Sequence, residues 1–533
     1  MTQLNRREAL KLGGAGVAVA ALAPAAAHAA PTPYFQHGVA SGDPLPQAVV
    51  LWTRVTPTPE SLPGSGTGPS AEVGWQVAED ADFTAVVASG TLTTGPERDH
   101  TVKVDVQGLR PGTGYHYRFS YLDAHSPAGR TSTAPASGAD VESLKFGVVS
   151  CSDWEVGYFG AYRHLAARDD LTGVIHLGDY IYEYAAAPAV DAKNVRLHQP
   201  AHEIITLADY RQRHAQYKTD PDLQALHARY PWMVVWDDHE SANNAWEGGA
   251  QNHTPDTEGP WEARKAASRQ AYDEWMPVRW GQGGVLQRSL RFGKLAELTL
   301  LDLRSHRSEQ ANGLAVDDPA RTLTGRAQMD WLKQTLTESR TRWRLLGNSV
   351  MVSPLKLGAV TAEVLGPLTR LLGIPQGGLV LNSDQWDGYA ADRAELLGHL
   401  RENGITNTVF LTGDIHTSWA SEVPLKAATY PRSPSVATEF VVPSVASDNI
   451  DDMLGVRPRT VSLAAETAIA NTNRHVRWTN LDSHGYCVLE VRREQVRMDW
   501  YFLADRKKAD TSARKAVSFT GVSGTQKIKR VWG

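Results

Sequence analysis

Four short apolar runs in this chain each stop on residues able to hold a metal ion, and that recurrence limits the fold more than any other feature. Leu144–Ser150 leads into Cys151, Ser152 and Asp153, and Thr172–Leu177 into Gly178, Asp179 and, three residues on, Tyr182. Trp232–Trp236 leads into Asp237, Asp238, His239 and Glu240, and Thr408–Thr412 into Gly413, Asp414, Ile415 and His416. Further strand-like runs occur at Ala296–Asp302, Trp343–Gly347 and Glu439–Val442, and helix-like patterns at 158–168, 206–228, 325–340 and 390–403. Strands alternating with helices predict a parallel sheet covered on both faces. The carboxyl ends of such strands share one edge, where open α/β sheets bind ligands. Residues hundreds of positions apart can therefore meet there.

Asp179 and Tyr182 are the most telling pair. A phenol ionises near pH 10 unaided, and a strongly charged cation such as ferric iron would hold it ionised at neutral pH. Taken alone, Gly178-Asp179-x-x-Tyr182 reads equally as a structural turn; the other three strand ends turn it into a candidate site. Neither a G-x-S-x-G elbow nor a G-x-x-x-x-G-K-S/T loop occurs. A serine nucleophile at Ser150 or Ser152 and a nucleotide-triphosphate motor are therefore disfavoured.

At 533 residues the chain predicts two or three domains. Its formal charge of −5 and its lack of a basic stripe argue against a nucleic-acid-binding patch. The N-terminus carries Arg6-Arg7, an alanine-rich apolar segment from Leu12 to Ala27, and Ala27-His28-Ala29. That reads as a twin-arginine signal peptide over 1–29 with an A-x-A cleavage site, engaging the twin-arginine export machinery. A membrane anchor is the alternative, but the segment falls short of the ~20 apolar residues that a span needs. No later stretch predicts a stable membrane span. Export places the protein in the periplasm, on the cell wall or outside the cell. An exported chain also leaves open a disulfide between its two cysteines, Cys151 and Cys487.

Residues 30–132 read as all-β: Gln47–Val55, Glu72–Ala78 and His100–Val106 are β-rich runs separated by turn residues. Leu109-Arg-Pro-Gly-Thr-Gly-Tyr-His-Tyr-Arg118 resembles the fibronectin type III corner closed by a tyrosine hydroxyl. This region is read as a packing domain rather than a binding module. Residues 133–143 form a small, polar linker, and 144–503 a second domain that carries the four strand ends. Gly485–Val491 and Val496–Phe502 predict a hairpin, 354–380 a loop-like surface insertion, and 504–533 a cap helix or a frayed tail.

The order of the four strand ends resembles the calcineurin-like metallophosphoesterases, and within them the alkaline phosphatase D (PhoD) family. The resemblance extends to His37-Gly-Val-Ala-Ser-Gly-Asp-Pro44 and Asp384-Gln-Trp-Asp-Gly-Tyr389. It implies an α/β protein of α+β sandwich type: a two-sheet αββα metallophosphoesterase core preceded by an all-β fibronectin type III-like sandwich. Carried over position by position, Cys151 would bind a first metal as thiolate, Asp179 would bridge two metals, and Tyr182 and His416 would complete the first site. That soft, electron-rich set suits a transition metal, so ferric iron (Fe3+) is expected there. Asp238 and Asp414 stand where the wider class has asparagine and histidine. Hard oxygen ligands suit calcium or magnesium, and the resemblance points to calcium (Ca2+). Asn243 or Asn244 would add a carbonyl ligand or simply form a turn. His239 would protonate the leaving oxygen; merely orienting Asp238 is its alternative role. Asp153 and Glu240 read as supports, Trp386 and Asp387 as pocket lining or packing, His176 as buried structure, and Tyr180 and Tyr184 as packing.

The activity implied is hydrolysis of small-molecule or polymer phosphate monoesters or diesters by a metal-bound hydroxide. A phospholipase D-type phosphodiesterase is one alternative, and an inactive wall-binding protein is a rival of another class.

Overall fold

Along the strand Gly173–Leu177, alternate side chains enter different cores. Ile175 and Leu177 join a cluster with Leu298, Leu345, Val409 and Phe440, whereas Val174 joins one with Phe159, Leu165 and Tyr210. Period-two patterning of this kind gives each face of a sheet its own partner. The computed structural model describes residues 33–191, 193–280, 284–355 and 380–532, so the signal segment and nearly all of 354–380 lie outside the described residues.

In chain order the N-terminal strands are β1 (Val39–Leu45), β2 (Ala48–Arg54), β3 (Ala71–Ala78), β4 (Val86–Thr94), β5 (Thr101–Gln107), β6 (Gly114–Tyr121), β7 (Ala124–His125) and β8 (Gly129–Ser132). Next come β9 (Ser143–Val149), β10 (Gly173–Leu177) and β11 (Pro231–Val235), with helices α1 (Gly160–Ala166), α2 (Leu207–Tyr217), α3 (Pro221–Arg229), α4 (Pro255–Glu258) and α5 (Trp261–Trp275). The second half adds β12 (Arg288–Phe292), β13 (Ala296–Leu300), β14 (Trp343–Asn348), β15 (Thr408–Thr412), β16 (Ser418–Pro424), β17 (Ser435–Val441) and β18 (Val476–Asn480), with α6 (Arg326–Glu338) and α7 (Ala390–Glu402). It closes with β19 (Gly485–Arg492), β20 (Gln495–Leu503), β21 (Ala513–Val522) and β22 (Ile528–Arg530).

Ten strands form one sheet in the order β22-β21-β20-β19-β9-β10-β11-β1-β2-β5, and seven form a second, β12-β13-β14-β15-β17-β16-β18. Phe146, Ile175 and Met233 of the first face Leu298, Leu345 and Val409 of the second. The outer face of the first sheet packs under α1, α2, α3 and α5, and that of the second under α6 and α7. The four layers are the expected αββα sandwich.

Three features depart from the expected boundaries. The helical pattern 206–228 is two helices, because Pro221 lacks an N–H and Asp220 caps the second one, its carboxylate accepting from Asp222 and Leu223 N–H at 3.0 Å each. The tail is neither a helix nor frayed: β21 pairs along β20 and carries β22 outside it. The N-terminal region does not stand apart either. β1 pairs in parallel with β11, so β1, β2 and β5 extend the large sheet, and β3, β4 and β6–β8 pack on them as a further layer around Leu51, Val73, Val102 and Tyr117. The tyrosine corner is present, with the Tyr115 hydroxyl accepting the Arg110 N–H at 2.9 Å. Asp43 of the His37–Pro44 stretch is buried against Arg288 at 2.8 Å, which gives that stretch a clamping role. Among the described residues no helix is long and apolar enough to cross a membrane.

Candidate metal centre

The candidate residues come from both sheets. Cys151, Asp179 and the Asp237–His239 segment follow β9, β10 and β11 of the large sheet, while Asp414 and His416 follow β15 of the second. The site therefore sits where two sheets meet, not on the single edge expected from the strand order. Gly413 makes the approach possible, since a Cβ there would lie 2.8 Å from Ser150 Cβ and 3.1 Å from the Leu177 carbonyl. Cys151, Asp179, Asp414 and His416 all take positive φ, between 54° and 64°. Left-handed backbone at a non-glycine residue costs about 1–3 kcal/mol and recurs where a site imposes geometry.

Cys151 Sγ, a carboxylate oxygen of Asp179 and a ring nitrogen of His416 lie within 4.8 Å of one another. The Tyr182 hydroxyl joins them, 3.2 Å from Asp179 Oδ2 and 3.1 Å from His416 Nε2. Burial and the nearby Asp179 carboxylate push both the Cys151 thiol and the Tyr182 phenol well above their ordinary values. Asp179 Oδ1 is buried with no hydrogen-bond partner among the described residues. A thiol and a phenol that only a cation could ionise, beside a carboxylate oxygen left unpaired, fit a transition-metal ion. Cys487 lies elsewhere, inside the core between the sheets; both cysteines are free thiols, so the disulfide is not formed.

The other half of the site is carboxylate-rich. Asp237, Asp238 and Asp414 offer oxygens within 4.8 Å of one another, as do Asp179, Asp238 and His239. Arg304, just past β13, reaches into this group, and no sequence motif marks it. Its guanidinium pairs with both oxygens of Asp237 and lies 3.1 Å from Asp414, 3.0 Å from Asp384 and 3.4 Å from Asp238. Charge is still uneven. Burial raises Asp238 to about 7, Arg304 and His239 pulling it down and Asp237 and Asp179 pushing it up. Asp414 is likewise raised well above the carboxylate range, by burial and by Asp237 and Asp384. Further positive charge would relieve both, and oxygen donors of this kind suit a hard divalent cation.

His239 stands between the two halves, its ring stacked on Tyr182 at 4.2 Å between centroids. Its Nδ1 meets Glu183 Oε2 at 2.7 Å. Burial opposes its charge, but Glu183, Asp238 and Asp179 outweigh burial and hold the imidazole well above its ordinary value. Glu183 directly follows Tyr182, yet nothing in the sequence marks it as the partner of His239. Glu240 ties two strand ends together, accepting N–H bonds from Asp179 at 3.1 Å and from Asp237 at 2.6 Å. Asp153 caps the N–H of Glu155 at 2.9 Å.

Several secondary expectations that left alternatives open now resolve. Asn244 takes positive φ and donates its N–H to Asp238 Oδ2 at 2.6 Å, so this segment is a turn that props a carboxylate. Trp386 is buried with its indole on Asn348, and Asp387 accepts the Leu355 N–H at 2.8 Å. Both are structural; Asp384 and Gln385 of the same stretch face the carboxylates, Gln385 Nε2 lying 3.1 Å from Asp414 Oδ2. His176 is buried structure, 3.2 Å from the Tyr162 hydroxyl. Tyr184 is exposed beside His239, and Tyr180 is buried.

Known proteins give this geometry a family. The sequence pattern of the PhoD-like phosphatase family matches residues 146–500, and that of the PhoD-like phosphatase N-terminal domain matches residues 20–135. Alkaline phosphatase D of Bacillus subtilis (strain 168) is 38% identical over 483 residues, covering 87% of this chain and 77% of that protein. A solved structure of PhoD superposes with a TM-score of 0.81 at 34% identity, covering 94% of this chain and 92% of the other. The chain belongs to the PhoD-like phosphatase family and is a phosphoric ester hydrolase.

Proposed function

We propose that this protein is an exported alkaline phosphatase and phosphodiesterase that uses two kinds of metal ion, ferric iron held by Cys151, Asp179, Tyr182 and His416, and calcium held by Asp179, Asp238 and Asp414. One observation carries the reading: a buried thiol, a buried phenol and a partly buried imidazole converge on Asp179, whose second oxygen has no hydrogen-bond partner among the described residues. When bound, the cations would supply positive charge to the phosphoryl oxygens and activate water at neutral pH.

The chain's own residues handle the leaving group. His239, whose protonated form its carboxylate neighbours favour, would carry a proton on Nε2 while Glu183 engages Nδ1. That proton is placed to pass to the departing ester oxygen. Stacking against Tyr182 fixes the plane of the ring. Arg304 keeps Asp237 and Asp414 from splaying apart by mutual repulsion. The Arg6-Arg7 segment supports export by the twin-arginine machinery, which carries folded, metal-loaded proteins to the periplasm, cell wall or medium.

The test is metal analysis of purified protein with p-nitrophenyl phosphate and its bis-ester as substrates. Coloured protein containing iron and calcium and active on these esters is expected, with Asp179→Asn losing both metals. A colourless, metal-free, inert preparation would instead favour the wall-binding reading, and a fully active Asp179→Asn would remove the bridging role.

A further inference from the structure

One short loop touches three of the four residues proposed to hold iron. The backbone N–H groups of Ala446 and Ser447 donate to the Cys151 carbonyl at 3.2 and 3.3 Å. The Ser447 hydroxyl donates to the Tyr182 phenolic oxygen at 2.6 Å. The Asp448 carbonyl accepts from His416 Nδ1 at 2.6 Å. Ser447 Oγ also accepts the Asp153 N–H at 3.2 Å, which leaves its own proton for Tyr182.

The loop is braced from behind. His484 lies 2.9 Å from Ser444 Oγ and 3.0 Å from the Asn449 amide, so it ties the two ends together. Arg506 is buried at 5% exposure, and its guanidinium donates to the Ala446 carbonyl and the Asp448 carboxylate and reaches Asp452 at 3.2 Å. Arg506 lies between β20 and β21, in the tail that the sequence predicts to be a cap helix or frayed.

We propose that Ser447 is a positioning residue for Tyr182, aiming and polarising the phenolic oxygen, and that Arg506 anchors the Ser447 loop against Cys151, Tyr182 and His416. The proposal rests on the reading of those residues as a ferric site. Partners of this outer kind orient metal ligands and tune their donor strength. A hydrogen bond to a phenolate oxygen withdraws electron density, so its loss moves a tyrosinate-to-iron charge-transfer band to longer wavelength.

The experiment loads full-length wild-type protein and the variants Ser447→Ala, Ser447→Thr, Arg506→Met, Arg506→Lys and Tyr182→Phe with ferric iron, and records bound iron, the visible band and the melting temperature. Ser447→Ala should bind iron about 10–100-fold more weakly and absorb at longer wavelength, with Ser447→Thr restoring both. Arg506→Met should weaken iron binding similarly, and Arg506→Lys, which keeps charge but loses the fork, should fall between it and wild type. A merely structural serine would lower the melting temperature and leave the band in place. If Tyr182→Phe loses or shifts the visible band while Ser447→Ala keeps the wild-type band and iron affinity, the proposal is wrong and the ferric reading stands. If wild-type protein takes up iron without colour, the ferric reading itself is wrong. Should Arg506→Met fail to fold, Arg506→Lys decides the anchor: wild-type iron affinity in that variant would overturn it.

Discussion

Glu183 Oε2 lies 2.7 Å from Nδ1 of His239, with the imidazole buried between that carboxylate and the ring of Tyr182. The same Glu183 accepts the Asn243 N–H at 2.7 Å and the Asn252 amide at 2.9 Å, so its own position is fixed from two sides. A histidine held this way presents only Nε2 to a substrate.

Glu183→Gln should therefore lower kcat about 10–100-fold, the usual cost of losing an orienting partner, without changing metal content. The loss should be larger for an alkyl phosphate than for p-nitrophenyl phosphate, because the poorer leaving group depends more on the proton. Equal losses on the two substrates would show that His239 is not delivering a proton.

Arg304 balances Asp237, Asp238, Asp384 and Asp414, and removing one member of a buried ionic group leaves uncompensated charge. Arg304→Met should destabilise the chelator-treated protein by about 3–5 kcal/mol and make its melting temperature rise steeply with added calcium. A loss of the same size at every calcium concentration would mean that the carboxylates do not share a cation with Arg304.

How far these residues could be read in advance follows from the range of the contacts that define them. The strand ends were legible because Val174–Leu177 is a short apolar run that halts at Gly178, a local pattern; Gly178 has φ of 99°, and a Cβ there would meet Asp237 Cβ at 2.5 Å. Asp237 and Asp238 were equally visible after β11. Arg304, Ser447 and Arg506 were not, because the residues each acts on at the site lie at least 58 positions away and none of the three sits in a motif. The same limit applies to strands. β20 was legible from its alternation, whereas β1 pairs with β11 far along the chain and its sequence does not declare that neighbour.

Lys218 predicts a dependence on pH. Its amine is buried, 3.1 Å from the Tyr180 hydroxyl, 3.3 Å from His227 Nε2 and over the face of Trp52, and among the described residues no carboxylate pairs with it. The charged neighbourhood is itself basic, since Lys218 in turn lowers the buried His37, His214 and His227. Burial lowers the amine to about 7, well below the 10.5 of an exposed lysine. Between those values the unfolded chain binds the extra proton, so folding stability should rise with pH from about 7 to about 10. Lys218→Met should flatten that rise in melting temperature without altering bound metal. A wild-type profile that stays flat or falls across this window would place Lys218 outside the linkage.

Gly413 sets the distance between the two sheets at the site. A methyl group there would press on Ser150 Cβ at 2.8 Å and Oγ at 2.9 Å and on the Leu177 carbonyl at 3.1 Å, atoms that immediately precede Cys151 and Gly178. Backbone cannot yield as a flexible side chain does, so Gly413→Ala should cost about 1–3 kcal/mol of stability. The displacement should be felt first by the ligands that span the gap, with His416 and Asp414 drawn away from Cys151, Asp179 and Asp238. Metal retention should therefore fall more than the melting temperature of the metal-free protein implies. Dialysis against chelator followed by metal analysis checks this, with Gly398→Ala, on a helix where the added Cβ meets only the far end of Glu402 at 4.0 Å, as the control. If Gly413→Ala lowers stability yet keeps both metals as tightly as wild type, the two halves of the site do not depend on that contact for their spacing.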